Sequence, residues 1–267
     1  GRTMLYFWLL VLAHGLADFI LQTKGVSAAK SANKWQGYAR HGLAIFLCTF
    51  AAVHFFGWKI ALLSAGLVTG VHLSLDWLKN VGRAYYAKKK KQPRVQGLLI
   101  DQCLHILTLF LMWRLVDSPV DTAVAGFYAE IFSPMGLPGT EKIVSGLAVY
   151  TFVVFGGAVL IRFTLDQIFP PGYIIAGQLK PDSTANSESR SVAAGKYIGI
   201  LERFLIMTLT VTGNISAIGV VFAAKSIARF SEFSNKHFAE YYLVGTLLSV
   251  VLALAGGIAL AQIWMQG

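Results

Sequence analysis

Apolar stretches long enough to cross a lipid bilayer recur along this chain of 267 residues, and no other feature restricts its fold so strongly. A hydrocarbon core of roughly 30 Å needs about 20 apolar residues of helix, at 1.5 Å of rise each. Such stretches run from about Met4 to Gln22, from Tyr38 to Phe56, from Gly57 to Trp77, from Gly97 to Val116 and from Ile143 to Phe169. Three more follow, from Tyr197 to Thr212, Ile215 to Phe230 and Tyr241 to Trp264. Inside hydrocarbon each backbone N–H and C=O must be satisfied within the protein, and helices do this segment by segment. The expected fold class is therefore all-α: a polytopic transmembrane helical bundle of seven or eight membrane segments, with no β-sheet. Composition agrees, since only 13% of residues are charged against the roughly 25% usual in soluble domains.

The formal charge of +10 suggests a nucleic-acid partner until the cations are placed. They gather between the apolar stretches, where Lys and Arg set membrane orientation, so no nucleic acid is expected. Segments one to two and three to four are joined by basic loops, the latter holding Lys79, Arg83, the run Lys88 to Lys91, and Arg94. These loops should be cytoplasmic, which points to a multi-pass protein of the bacterial cytoplasmic membrane. Three parts are expected: a four-helix domain over 4–116, an acidic extracytoplasmic loop over 117–142, and C-terminal membrane helices over 143–264 with a flexible cytoplasmic loop at 170–196. The sixth and seventh stretches are short and carry Glu202, Arg203, Lys225 and Arg229, so they are expected to be tilted or re-entrant. His14 and Asp18 within the first stretch, and the lack of a small-residue cleavage site, mark a retained helix instead of a signal peptide. Cys48 and Cys103, the only cysteines, both lie in apolar stretches, so neither a disulfide framework nor a Cys-based zinc motif is expected. Gly66 and Gly70, four residues apart, fit close helix packing.

The chemistry sits in the first four helices. His14 and Asp18, His72 and Asp76, and Asp101 and His105 are each spaced i, i+4. That spacing puts both side chains on one helical face, about 6 Å apart along the axis. The fourth helix runs opposite to the first and third and carries its pair in reversed order, so all three carboxylates share one depth and all three imidazoles another. His41, at the start of the second helix, is placed to join them. Three Asp residues facing lipid would cost roughly 8 to 10 kcal/mol, at about 2.5 to 3.5 each. One or two divalent ions would offset that cost, and zinc, manganese, iron or magnesium suit these donors. The expected ligands are His14, Asp18, His41, His72, Asp76, Asp101 and His105, with Asp18, Asp76 and Asp101 also candidates for a catalytic base. Interhelical hydrogen bonding alone, or a proton pathway, would use the same residue types.

These segments, HGLADFILQT from His14, His41, HLSLDWLK from His72 and DQCLH from Asp101, resemble the bacterial inner-membrane family known as domain of unknown function 3307. The resemblance covers roughly residues 5 to 115. GKYIGILER at Gly195 to Arg203 and AAKSIARF at Ala223 to Phe230 are similar to segments that accompany this domain in longer members. The resemblance implies a multi-helix membrane domain and brings no reaction with it. A looser similarity of pattern links the chain to membrane-bound metal-dependent hydrolases.

A second polar group, Glu202, Arg203, Lys225 and Arg229, offers cations able to hold a phosphate or an anionic lipid headgroup. Its plainer reading is internal pairing of Glu202 with Arg203 or Lys225. The expected function is a membrane-embedded metal-dependent hydrolase acting on a phosphoester or lipid-like substrate at the cytoplasmic leaflet. The alternatives are a metal-ion or proton-coupled transporter, and a non-catalytic scaffold or stress effector with a structural metal. Membrane lipid is the expected partner, and an oligomer is compatible with all of these.

Overall fold

A computed structural model describes residues 3–88, 94–116, 119–132, 139–169 and 185–266. Every regular element among them is helical. Among the described residues six helices are long and apolar enough to cross a membrane: Met4–Leu21, Trp35–Phe56, Trp58–Arg83, Val95–Leu115, Thr140–Ile168 and Lys236–Met265. Their outward faces carry exposed Leu43, Leu47, Leu62, Leu67, Leu107 and Val251, as helices solvated by lipid require. This count, made among the described residues, does not confirm the expected seven or eight. The expected sixth stretch lies within the helix Ala185–Val211, and the seventh is the short apolar segment Ile215–Ala228.

The chain divides into two compact units, Gly1–Thr151 and Phe152–Gly267. In the first, α1 (Met4–Gly15) begins at Thr3, whose hydroxyl accepts from the Leu5 N–H at 3.2 Å, and runs on into a π-helical turn, Leu16–Leu21. The short α2 (Lys24–Ser31) is capped by Thr23 and leads to α3 (Trp35–Ala52). A 3₁₀ turn, Val53–Phe56, and Gly57 at φ 85° reverse the chain into α4 (Trp58–Lys88), which α5 (Arg94–Leu115) follows. Next come α6 (Thr122–Phe132), whose start is capped by the Asp121 carboxylate, and α7 (Thr140–Tyr150). α1 packs against α3, α5 and α7, and α4 lies between α3 and α5. Leu9, Leu10, Ile45, Ala61, Ala65, Val68 and Leu109 fill the core between them.

The second unit contains α8 (Gly157–Ile168), α9 (Ala185–Val211), α10 (Ile218–Ala228) and α11 (Lys236–Gln266). α9 and α11 approach closely where Gly257 faces Thr210, whose Cβ would be 2.6 Å from an added methyl carbon. Gly213, at φ 76°, closes the turn after α9, with the Asn214 N–H bonded to the Leu209 carbonyl at 2.8 Å.

Three expectations change. The loop expected over 170–196 is helical from Ala185 onward, because 185–194 contains no Gly or Pro to break a helix; residues 170–184 lie outside the described residues, as does most of the lysine run. The acidic segment over 117–142 is not all loop, since it holds α6 and the start of α7. Gly66 and Gly70 make no close helix contact, because a Cβ on either would meet nothing within 4 Å; both lie on the face of α4 that exposes Leu63 and Leu67.

Candidate metal centre

Four helices of the first unit bring the polar residues together. His14 ends α1, and Asp18 sits one turn on, in the π-helical segment, a widened turn of the kind that often marks functional positions. His41 lies in α3, His72 and Asp76 in α4, and Asp101 and His105 in α5. All are buried except Asp18, whose side chain keeps 10% exposure. Each i, i+4 pair closes as its spacing requires, at 3.8 Å for His14–Asp18, 3.7 Å for His72–Asp76 and 3.6 Å for His105–Asp101. The two expected layers interleave into one cluster.

Its tightest part is a triangle. His41 Nε2 lies 3.1 Å from His72 Nε2, and Asp18 Oδ1 lies 3.2 Å and 3.3 Å from those two nitrogens. Asp18 Oδ1 is nonetheless a buried oxygen with no hydrogen bond of acceptable geometry. His41 Nε2 and His72 Nε2 are within hydrogen-bonding reach of each other, whereas Asp18 Oδ1, close to both, is bonded to neither, and three donors at these separations are spaced like ligands of a common ion. At metal–ligand distances of about 2.1 Å, neighbouring donors stand roughly 3.0 Å apart in octahedral and 3.4 Å apart in tetrahedral coordination. Asp76 Oδ2 stands further off, 3.5 Å from His41 Nε2 and 3.7 Å from His72 Nε2. The donor set, two imidazoles and one carboxylate with a second carboxylate behind, fits zinc, manganese or iron better than magnesium, which favours all-oxygen shells.

Two lysines that the sequence reading assigned no chemical role complete the site. Lys79 Nζ donates to Asp76 Oδ1 at 2.6 Å and to Asp101 Oδ2 at 2.9 Å. Lys30 Nζ donates to Asp76 Oδ2 and, at 3.2 Å, to Gln22 Oε1. Asp76 and Asp101 are thereby neutralised by ammonium groups. Asp18 is not: its neighbours are His14, His41, His72 and Gln102, whose amide donates to Asp18 Oδ2 at 3.4 Å. In a low-dielectric interior an ionised carboxylate requires a counter-charge, and the cluster's unbalanced negative charge sits at the triangle.

Lys30 is delivered by design of the α2 segment, which lies between two spans. Gly37 lets α3 touch it, since a Cβ there would be 2.6 Å from the Lys30 backbone nitrogen. Asn33, at φ 54°, turns the chain, and Asn80 of α4 donates to the Lys30 carbonyl at 3.1 Å and to the Tyr38 hydroxyl at 2.8 Å. Lys30 is only 4% exposed, and burial pulls its ammonium below the ordinary lysine value while Asp76 opposes the shift. A lysine merely snorkelling to the surface would need none of these restraints.

The remaining residues divide between support and separation. His105 Nδ1 donates to the Asp101 carbonyl at 2.7 Å, leaving its buried Nε2 without a partner; its ring stacks on His14, with centroids 5.2 Å apart. Glu202, Arg203, Lys225 and Arg229 belong to the second unit and are engaged there. Lys225 Nζ donates to Glu202 Oε2 at 2.5 Å and to Thr246 Oγ1 at 3.0 Å. Buried Arg203 gives Nε and Nη2 to the Val154 carbonyl, at 3.1 and 2.8 Å, and Arg229 pairs with Glu232 at 2.9 Å. The internal pairing of Glu202 with Lys225 is present, and these cations do not form an open phosphate cradle.

Fold and site together define a polytopic helical membrane protein with a buried His/Asp/Lys cluster in its N-terminal bundle. Residues 6–131 match the family described as protein of unknown function (DUF3307), so this part of the chain is similar to that family. No curated protein and no solved structure matches the chain.

Proposed function

We propose that the N-terminal unit is a metal-dependent hydrolytic centre of the bacterial cytoplasmic membrane, acting on an anionic phosphoester or lipid-like substrate presented at the cytoplasmic leaflet. The observation that carries this is Asp18: a carboxylate without an ammonium partner, whose buried Oδ1 lies 3.2–3.3 Å from two imidazole nitrogens. His41, His72 and Asp18 would hold the ion. A divalent cation bound there supplies a water acidified into the neutral range and a Lewis acid for the scissile group. Asp76, held by its two lysines with Oδ2 3.5 Å from His41 Nε2, is the candidate base, while Lys30 holds the substrate's negative charge. Charge supports an anionic substrate. Three carboxylates against two ammoniums leave one net negative charge, and one divalent ion turns this into one net positive charge.

The apolar layer beyond the imidazoles supports hydrolysis over conduction. Beyond the imidazoles the bundle is closed by Leu10, Ile45, Ala65, Val68 and Leu109, with the Tyr6–Ser64 hydrogen bond further along. An ion route would need polar groups through that layer. The test is release of the head group from a phosphoester lipid in mixed micelles. Protein loaded with Zn²⁺ or Mn²⁺ is expected to turn over, and chelator-stripped protein to fall to the uncatalysed rate and recover when metal returns. Equal rates with and without metal would refute the reading.

A further inference from the structure

Granted that reading, we infer that the centre takes a single divalent ion and that the Lys79 ammonium is its resident second cation, seated where a second metal would otherwise bind. Three sets of donor atoms lie within 4.8 Å of one another: His14, Asp18 and His72; His41, His72 and Asp76; and Asp76, Asp101 and His105. The first two share His72 and close around the Asp18 triangle, so they describe one position. Among the described residues only the third set offers a second.

That second position is filled from within. Lys79 Nζ lies 2.6 Å from Asp76 and 2.9 Å from Asp101, which is how two carboxylates embrace a shared cation. The His105 nitrogen beside Asp101 is committed elsewhere, because Nδ1, 3.6 Å from Asp101 Oδ1, carries a proton to the Asp101 carbonyl at 2.7 Å, and only Nε2 keeps a lone pair. Lys79 stands three residues after Asp76 on α4, whereas Asp101 comes from α5, so the ammonium also ties the two helices. Charge leads the same way. One ion leaves the cluster with one net positive charge, whereas a second ion in place of Lys79 would raise it to two in a buried site with no further carboxylate in the cluster. Lys79 keeps 29% of its side chain exposed, so it is able to leave if a metal outcompetes it. The inference is therefore open to direct contradiction.

The experiment counts metal. Wild-type protein in detergent is loaded with Mn²⁺, desalted, and assayed by mass spectrometry of the metal and by electron paramagnetic resonance. One ion per chain and the signal of an isolated Mn²⁺ are expected. Lys79→Met should take up a second ion and show a coupled pair, and Lys79→Arg, which keeps the charge, should stay at one. Two ions in wild type, or one in a folded Lys79→Met protein, would overturn the inference. Should Lys79→Met fail to fold, the wild-type count and spectrum decide the matter alone. A wild-type count of zero would instead refute the metal reading itself, so the two failures are distinguishable.

Discussion

His72→Ala should leave the purified protein without tightly bound divalent metal, while the wild type retains it through desalting. His72 Nε2 stands 3.1 Å from His41 Nε2 and 3.3 Å from Asp18 Oδ1, so its loss removes one of three donors from the triangle. Removing a mere outer-shell partner weakens metal binding roughly 10–100-fold; loss of a donor should exceed that. The effect carries into stability. A ligand at a hundred times its Kd stabilises a folded protein by about 2.7 kcal/mol, so added metal should raise the unfolding temperature of the wild type. It should leave that of His72→Ala unchanged. Equal metal content in the two proteins would remove His72 from the centre, and with it the triangle.

The second large effect belongs to the other unit. Lys225→Met should strongly destabilise it, because Glu202 Oε2 loses its ammonium at 2.5 Å while Glu202 Oε1 already has no hydrogen-bond partner. Removing one member of a buried ion pair costs about 3–5 kcal/mol, chiefly from the charge left behind. The double variant Lys225→Met with Glu202→Gln should recover most of the loss, since no stranded charge remains. Denaturant unfolding in mild detergent, followed by circular dichroism, reads both. Equal destabilisation in the single and double variants would show that Lys225 acts through its other contacts, such as the Tyr242 ring 5.2 Å from its ammonium, and not through the Glu202 charge.

Much of the first unit was legible because its signals are local. A His and an Asp four apart must share a helical face whatever surrounds them, and the reversed order in α5 follows from chain direction alone. All three pairs form, and His41 joins them. Lys30 and Lys79 escaped because a lysine near the end of a membrane span carries the ordinary meaning of an orientation signal. What separates them from Lys24 or Lys34 is tertiary: the Gly37 contact, the Asn80 hydrogen bond and the reach of Asp101 from a different helix. Arg203 shows the same limit. Its partner is the carbonyl of Val154, in the π-helical turn Thr151–Gly156, and a backbone acceptor has no sequence signature. Gly66 and Gly70 erred the other way, since spacing four apart marks a smooth helix face without saying whether a helix or lipid lies against it.

X-ray absorption at the edge of the bound metal tests the convergence of these helices most directly. If His41, His72 and Asp18 hold one ion, the nearest shell is nitrogen and oxygen at about 2.0–2.2 Å, with the outer scattering of two imidazole rings that drops to one ring in His41→Ala. A shell of water oxygens without imidazole scattering, or sulfur at about 2.3 Å from Cys48 or Cys103, would contradict it.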